Sequence, residues 1–252
     1  FDTGAEPFSL VEAQSFVDSL KINPEKTPRD YQVKAFAQAV RTGRGLFLSP
    51  TASGKSLIIF LLTQYWKDKN VMIVVPTTNL VRQMVGDFEE YVPGSAQECQ
   101  GILGGETKDK HKRIIVTTWQ SVYKLPKTWF DDIDVVIGDE AHLFKAKSLV
   151  TIMEKLNECP VKIGTSGTLD GTNVHELILR GLFGPIRKVI STHELMERGD
   201  IAQLQIKAIV LGHEDSDRAL LAQGTYQDEM DFLVRNEKRN NYIKNLTLSL
   251  DG

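Results

Sequence analysis

The segment Ser49–Ser56 reads SPTASGKS and decides the fold class. It follows a short apolar run, Gly45–Ser49, and precedes an apolar stretch with helical spacing, Ser56–Trp66. Small residues between a strand and a helix let backbone N–H groups surround an anion, and the helix N-terminus adds about half a positive charge there. The strict pattern has glycine at the first position, where this chain has serine. The segment predicts a loop that holds the phosphates of a nucleotide, with contacts from Thr51, Ala52, Ser53, Gly54, Lys55 and Ser56.

Around this loop, short apolar runs alternate with longer amphipathic stretches. Strands are predicted at Gly45–Ser49, Val71–Val75, Arg113–Thr117, Asp134–Gly138, Val161–Thr165 and Ile206–Leu211. Helices are predicted at Pro28–Arg41, Gly54–Trp66, Thr78–Tyr91, Lys147–Asn157 and Asn173–Leu182, with capping boxes at Thr27–Asp30 and Ser9–Glu12. Apart from the last strand, the runs are rich in Val, Ile and Leu, as in strands buried on both faces of a parallel sheet. The pattern predicts an α/β fold, a doubly wound and mostly parallel sheet with helices on both faces.

Composition excludes several other classes of protein. The 252 residues include 30 Lys and Arg against 33 Asp and Glu, a formal net charge of −3 that excludes a polycation. Two cysteines, Cys99 and Cys159, exclude a disulfide framework and suit a reducing compartment. The longest apolar runs, including Leu57–Leu62, are far shorter than the ~18 residues of a membrane span. We therefore expect a cytoplasmic protein with no membrane partner.

A second chemical signal is the segment Asp139–His142, which reads DEAH and directly follows the apolar run Val135–Ile137. Adjacent carboxylates at the end of a strand can lie beside the phosphates that the loop holds. Asp139 would then hold Mg²⁺ partly through water, with Ser56 as a further ligand, and Glu140 would polarise the attacking water. Lys55, Asp139 and Glu140 are the predicted catalytic residues.

These two segments together resemble the superfamily-two helicases of the DEAD/DEAH group, and further segments follow in the order of that family. The resemblance implies a RecA-like P-loop NTPase lobe that binds ATP and Mg²⁺. Arg29–Gln32 resembles the adenine-reading element, in which Gln32 would hydrogen-bond the adenine edge and Arg29 would lie against its face. Thr165–Thr168 resembles motif III, with Gly167 for the usual alanine. With His142, this motif implies coupling through Ser166 and Thr168.

Two segments resemble the family motifs that lie under the nucleic-acid backbone, Pro76–Gln83 as motif Ia and Thr117–Ser121 as motif Ib. The nucleic-acid contacts implied are Pro76, Thr77, Thr78, Gln83, Thr117, Thr118 and Gln120. Trp119 is predicted to belong to the core, with stacking on a base as the alternative. The basic run Lys108–Arg113 is predicted to be a solvated loop, with a place in the nucleic-acid path as the alternative.

These sequence motifs most resemble those of phage recombination and repair helicases of the UvsW type, and more loosely those of RecG-like and XPB-like DNA translocases. The resemblance implies an ATP-dependent motor acting on single-stranded or branched DNA through backbone contacts. An RNA helicase lobe and a restriction-type DNA translocase motor remain alternatives, as does a non-catalytic nucleic-acid-binding module. A nucleotide kinase would share the loop but not the order of the other motifs.

Helicases of this superfamily use two RecA-like lobes, and we expect this chain to supply one. The predicted organisation is a helical lead-in over 1–27, the ATP-binding lobe over 28–225 and a long connector helix over 226–252, leading toward a missing second lobe. The chain lacks an initiator Met, so we expect a fragment with little activity alone.

Overall fold

A computed structural model describes residues 8–104, 108–169, 173–202 and 208–250. The strands are β1 (Arg44–Leu48), β2 (Val71–Val75), β3 (Cys99–Ile102), β4 (Ile114–Thr118), β5 (Val135–Gly138), β6 (Val161–Ser166) and β7 (Ile186–Lys188). The helices are α1 (Leu10–Ser19), α2 (Asp30–Thr42), α3 (Lys55–Tyr65), α4 (Thr78–Tyr91), α5 (Trp119–Val122), α6 (Lys147–Lys155), α7 (Asn173–Phe183), α8 (Thr192–Glu197), α9 (Asp215–Leu221), α10 (Tyr226–Arg235) and α11 (Glu237–Ser249).

The described strands form one seven-stranded sheet in the order β3-β4-β2-β5-β6-β1-β7. Every pairing in it is parallel. Successive residues of β2 enter different core clusters: Val71, Ile73 and Val75 join one, and Met72 and Val74 join the other. Side chains alternate across a strand, so the two clusters lie on opposite faces of the sheet.

Helices cover both faces of this sheet. The first cluster takes Phe36, Phe60 and Phe88 from α2, α3 and α4, and the second takes Ile152 from α6 and Phe183 from α7. The prediction of a doubly wound parallel sheet is therefore confirmed.

The predicted strands differ from the structure in three places. Strands β3 and β7 were not predicted, and both are short edge strands with polar or charged residues. Of the predicted strand Ile206–Leu211, residues 206 and 207 lie outside the described residues, and residues 208–211 form no strand. Ile209 is half exposed and Val210 is almost fully exposed, because no neighbouring strand pairs with this run.

The start of α2 and the end of the chain also differ from prediction. Helix α2 begins at Asp30, since the Thr27 hydroxyl donates to the Pro24 carbonyl at 2.8 Å and does not cap the helix. The predicted long helix over 226–250 is two helices, α10 and α11. It breaks at Asn236, whose side-chain oxygen accepts from the Arg239 N–H at 2.8 Å and caps α11. The capping box at Ser9 is confirmed.

The chain divides into two compact units between Ala202 and Gln203. The first unit holds the sheet and helices α1 to α8. Within it, Ala13 and Val17 of α1 are buried in the first core cluster. The second unit holds α9, α10 and α11. Among the described residues, no helix is both long and apolar enough to cross a membrane.

Candidate nucleotide site

The loop between β1 and α3 is built by its own hydrogen bonds and by two left-handed residues. Ala52 and Gly54 have φ of 66° and 75°. The buried Ser53 hydroxyl donates to the Pro50 carbonyl at 2.6 Å and accepts from the Ser49 hydroxyl at 2.5 Å. Ser49 replaces the usual glycine, and here its side chain braces the loop from inside. Glycine is required at position 54, where a Cβ would lie 2.3 Å from Gln32 Nε2.

Lys55 meets the acidic segment after β5. Its Nζ lies 3.3 Å from Glu140 Oε1 and 3.5 Å from the Ser49 carbonyl oxygen. Glu140 has φ of 48°, a conformation that is uncommon for a residue with a side chain. The structure thus brings together two predicted catalytic residues that are far apart in the sequence.

A series of polar contacts continues from Glu140 to the end of β6. His142 Nδ1 lies 3.3 Å from Glu140 Oε2 and 2.9 Å from Ser166 Oγ. The Ser166 hydroxyl donates its only proton to the Thr168 carbonyl at 2.8 Å. His142 Nδ1 must therefore carry the proton in the bond to Ser166. The predicted coupling residues are connected in this way to the predicted catalytic glutamate.

Asp139 lies between β2 and β6 at the end of β5. Its Oδ1 accepts a hydrogen bond from the Thr165 hydroxyl at 2.8 Å, a contact that the sequence did not reveal. Burial raises the pKa of Asp139, and the Thr165 hydrogen bond opposes that rise. A desolvated carboxylate beside Lys55 and Glu140 suits a cation that arrives with its own waters.

The Ser56 hydroxyl, a predicted magnesium ligand, makes its hydrogen bond to helix α4. Ser56 Oγ lies 2.7 Å from the hydroxyl of the buried Tyr91, and the Asp87 carboxylate also faces it. Burial raises the pKa of Tyr91 to about 12, so this phenol is protonated at neutral pH. Tyr91 was not predicted, because nothing in its local sequence points to the loop.

Magnesium bound with a nucleotide is held largely by phosphate oxygens and water. Among the described residues, no group of three or more His, Cys, Asp and Glu side chains is placed to hold a metal ion. The buried carboxylate of Asp139 fits a magnesium ion that comes with a nucleotide, and Ser56 stays a predicted ligand, because its hydroxyl is bonded to Tyr91 here.

The predicted adenine-reading element packs directly on the loop. The buried Gln32 donates from Nε2 to the carbonyls of Ser53 at 2.9 Å and Gly54 at 3.3 Å, and its Oε1 accepts from the Arg29 N–H at 2.8 Å. The Tyr31 hydroxyl donates to the same Ser53 carbonyl at 3.0 Å. In this arrangement the Gln32 amide ties α2 to the loop, and its bond to adenine stays a prediction.

A cavity of about 420 Å³ opens beside this element. Its lining includes Thr27, Arg29, Gln32, Ala52, Gly54 and Tyr91. Because the cavity adjoins the loop, it is placed where a base attached to bound phosphates would lie.

The predicted nucleic-acid motifs end neighbouring strands. Val75 of β2 pairs with Thr118 of β4, so the segments that follow them lie side by side at one edge of the sheet. There the structure exposes Thr77, Thr78 and Gln83 in one segment and Gln120 in the other, and half-buries Pro76.

Thr117 and Thr118 differ from the prediction of direct nucleic-acid contacts. The Thr117 hydroxyl is buried and donates to the Ile102 carbonyl at 2.7 Å, so it joins β4 to β3. Thr118 is also buried, and its hydroxyl lies 3.0 Å from the Ser121 hydroxyl at the start of α5. Trp119 is partly buried against the second core cluster, as predicted.

The basic run Lys108–Arg113 lies at the amino end of β4, away from these motifs. Arg113 pairs with Glu98 and donates to the Thr63 carbonyl at 2.9 Å, and Lys110 donates to the Trp129 carbonyl at 2.6 Å. The run therefore fastens strand β4, and its place in the nucleic-acid path stays an alternative prediction.

Fold and site together define a RecA-like P-loop lobe, with a phosphate loop after β1 and an acidic pair after β5. The chain belongs to the family described as "Type III restriction enzyme, res subunit", whose model matches residues 25–171. The predicted resemblance to helicases of the UvsW type is confirmed.

Two curated relatives extend this assignment. The chain is 35% identical to the ATP-dependent DNA helicase uvsW of Enterobacteria phage T4, across 97% of this chain and 51% of that protein. It is 28% identical to the DNA 3'-5' translocase XPB2 of Sulfurisphaera tokodaii, across 78% of this chain and 44% of the relative. The chain therefore spans about half the length of these relatives.

Solved structures agree with the fold. The crystal structure of the UvsW helicase from bacteriophage T4 matches with a TM-score of 0.65 and 35% identity, over 73% of this chain and 68% of that one. The Hef helicase domain of Pyrococcus furiosus matches with a TM-score of 0.58 and 21% identity, over 68% of this chain and 39% of that one. The second likeness is one of fold alone.

Proposed function

We propose that this chain is the ATP-binding motor lobe of an ATP-dependent DNA helicase or translocase that processes branched DNA in recombination or repair. The observation that carries the proposal is the 3.3 Å contact between Lys55 of the loop and Glu140 of the acidic segment. Relatives with helicase or translocase activity support it. We propose that the chain acts in the cytoplasm, the host cytoplasm if it is phage-encoded, by analogy with its phage relative.

In this proposal each loop residue has a distinct task. The backbone N–H groups of Thr51–Gly54 hold the phosphates, and Lys55 supplies positive charge to the β- and γ-phosphates. Ser56 and Asp139 would hold Mg²⁺, which neutralises phosphate charge when bound. Glu140 would leave Lys55 for the attacking water and polarise it. Its other oxygen faces His142, so a movement of Glu140 would be transmitted through His142 to Ser166 and Thr168.

The base and the DNA would occupy two other parts of the lobe. The base would enter the cavity beside Arg29 and Gln32. DNA would lie along the sheet edge where Thr77, Thr78 and Gln120 are exposed. Contacts of this kind go to the sugar-phosphate backbone, so they give affinity without reading sequence.

A second RecA-like lobe is the proposed partner of this one. ATP bound at the sheet edge would then lie between two lobes, and hydrolysis would open and close them along the DNA. A restriction-type translocase motor is the second candidate function, and the family description favours it. Stimulation of hydrolysis by branched DNA above linear duplex would favour the helicase, and equal stimulation would favour the restriction motor.

The test of the proposal is Lys55→Ala. Loss of a charged contact to phosphate should weaken nucleotide affinity by about 10- to 100-fold while the fold survives. The measurement is displacement of a fluorescent ATP analogue in the presence of Mg²⁺, with circular dichroism as the check on folding. Lys67→Ala, at an exposed position after α3, is the matched control. Unchanged nucleotide binding by the Lys55 variant would mean that the loop is not the site.

A further inference from the structure

The segment that follows β7 packs on the start of α2. Ile190 and the fully buried Leu195 of α8 form a small apolar cluster with Tyr31, which is 3% exposed. A Ser191 capping box fixes the start of α8, and the Asp200 N–H bonds back to the Leu195 carbonyl at 2.9 Å. Residues 190–201 thus have a defined place against the adenine-reading element, although they lie about 160 positions later in the sequence.

Two ion pairs join this segment to that element. Arg198 Nη1 donates to Asp30 Oδ1 at 2.6 Å, and its guanidinium lies 5.7 Å from the centre of the Tyr31 ring. Asp200 Oδ1 lies 3.3 Å from Arg29 Nε, and the Asp200 side chain is only 21% exposed. Charged partners therefore meet two consecutive residues of the element, Arg29 and Asp30.

These contacts set the orientation of side chains that face the cavity. Arg29 lines the cavity, and its Nη1 donates to the Tyr31 hydroxyl at 3.0 Å. The Tyr31 hydroxyl donates in turn to the Ser53 carbonyl of the loop at 3.0 Å. Arg29 has several rotatable bonds, so a carboxylate that holds its Nε removes much of its freedom beside the cavity.

We propose that Arg198 and Asp200 are positioning residues for recognition of the nucleotide base. They hold Arg29 and Tyr31 so that the face of Arg29 is presented to a base in the cavity. This inference rests on the proposed function, because it takes the cavity as the base site. It adds two residues from outside the motifs, both in the segment that leads to Ala202, where the first compact unit ends.

The test separates the base from the phosphates. Two probes are used with Mg²⁺ throughout: ATP, and inorganic tripolyphosphate, which carries the same kind of anion without a base. The double variant R198Q/D200N should bind ATP about fivefold more weakly, the change expected for loss of two partly exposed ion pairs. Its affinity for tripolyphosphate should be unchanged. The double variant R198Q/D200E, which keeps a carboxylate at position 200, should recover part of the ATP affinity that R198Q/D200N loses.

Matched controls keep the outcomes distinct. Arg180→Gln breaks an exposed ion pair with Glu176 on α7 and should alter neither affinity. Lys55→Ala should weaken both probes, and its failure to do so would count against the proposed function itself. With Lys55→Ala behaving as expected, an equal loss of both probes in R198Q/D200N, or no loss of either, would overturn the positioning role.

Discussion

At the scale of single residues, the site depends on side chains that hold one another across the sheet edge. Glu140 faces Lys55 through one oxygen and His142 through the other. Asp139, next to it, is held by Thr165. Because parallel strands end at the same edge, one residue from each of several strands can meet there without any local sequence relation.

A prediction at this scale concerns the glycine at the end of the loop. Gly54→Ala puts a Cβ 2.3 Å from Gln32 Nε2 at a residue with φ of 75°. We expect a loss of about 1–3 kcal/mol in the free energy of unfolding, measured in urea, together with weaker ATP binding. Gly86→Ala, on the exposed face of α4 with no atom within 4 Å of the new Cβ, is the control. It should stabilise the chain by about 0.5–1 kcal/mol. Equal stability of Gly54→Ala and the unaltered chain would contradict the close packing of loop and helix.

A second residue-scale prediction concerns acid stability. The hydrogen bond from Arg198 lowers the pKa of Asp30 from 3.8 to about 2, and Lys34 contributes. A carboxyl with a lowered folded-state pKa stabilises the fold above its unfolded pKa, and this contribution is lost as the pH falls from about 4 to about 2. Asp30→Asn should therefore be less stable than the unaltered chain at pH 6, and the difference should shrink between pH 4 and pH 3. Urea unfolding at each pH measures it, and a difference that grows on acidification would refute this origin.

At the scale of elements, two glycines let helices approach the middle of the sheet. A Cβ at Gly138 of β5 would lie 2.8 Å from Phe144 and 3.0 Å from Phe183. One at Gly164 of β6 would lie 3.2 Å from Phe183. The turn that follows the acidic pair, Ala141–Lys145, therefore seats its phenylalanine directly on the backbone of β5.

The element-scale prediction is that Gly138→Ala displaces this turn. Overpacking at Phe144 should lower the free energy of unfolding by about 1–3 kcal/mol. Because Asp139 and Glu140 directly precede the turn, nucleotide binding should weaken as well. Gly181→Ala on α7 meets no atom within 4 Å and should be near neutral or slightly stabilising. Thermal unfolding and displacement of the ATP analogue, done on both variants, check the two effects together. Unchanged nucleotide affinity in Gly138→Ala would show that nucleotide binding does not depend on how the turn packs on β5.

The sequence predicts central elements well and edge elements poorly, for physical reasons. Val71–Val75 is predicted to the residue, because all five side chains are apolar and buried on both faces. β3 and β7 escape prediction, since each has a neighbour on one side only and keeps polar residues. The apolar run at residues 208–211 is predicted to be a strand and is not one, because residues with β propensity form a strand only when a neighbouring strand pairs with them.

The candidate site is predictable only where chemistry and local sequence coincide. Lys55 and Glu140 stand in recognisable segments, so their roles can be predicted from residue types and order. Tyr91 and Asp200 make tertiary contacts that no spacing in the sequence predicts, and the same is true of the bond from Thr165 to Asp139. Thr117 illustrates the opposite case, because a motif position can serve the sheet with its side chain.

At the scale of the whole molecule, the loop, the acidic pair, the cavity beside Arg29 and the predicted nucleic-acid motifs all belong to the first compact unit. The relatives are about twice as long as this chain. A lobe that binds ATP at its edge is expected to need groups from a second lobe to stabilise the transferred phosphoryl group.

The prediction at this scale is that ATP binding and turnover separate. The 252-residue chain should bind ATP with Mg²⁺, and its DNA-stimulated turnover should lie about 10³-fold or more below that of a form with a second RecA-like lobe. Phosphate release with single-stranded and branched DNA measures this in both forms. Lys55→Ala in the longer form should abolish the signal, which assigns it to this lobe. Comparable turnover from the two forms would rule out the need for a partner lobe.

The left-handed backbone at Ala52 and Glu140 has an evolutionary consequence. Among the described residues, three non-glycine residues have positive φ, and two of them are in the candidate site. Each is destabilised by about 1–3 kcal/mol relative to a residue that tolerates this conformation. Glycine or asparagine at either position would relax the backbone, and at 140 it would also remove the carboxylate. In a lineage released from the need to hydrolyse ATP, replacement of Glu140 by glycine or asparagine would stabilise the fold and would no longer be selected against. A homologue with glycine at this position is expected to keep the fold and to have lost ATP hydrolysis.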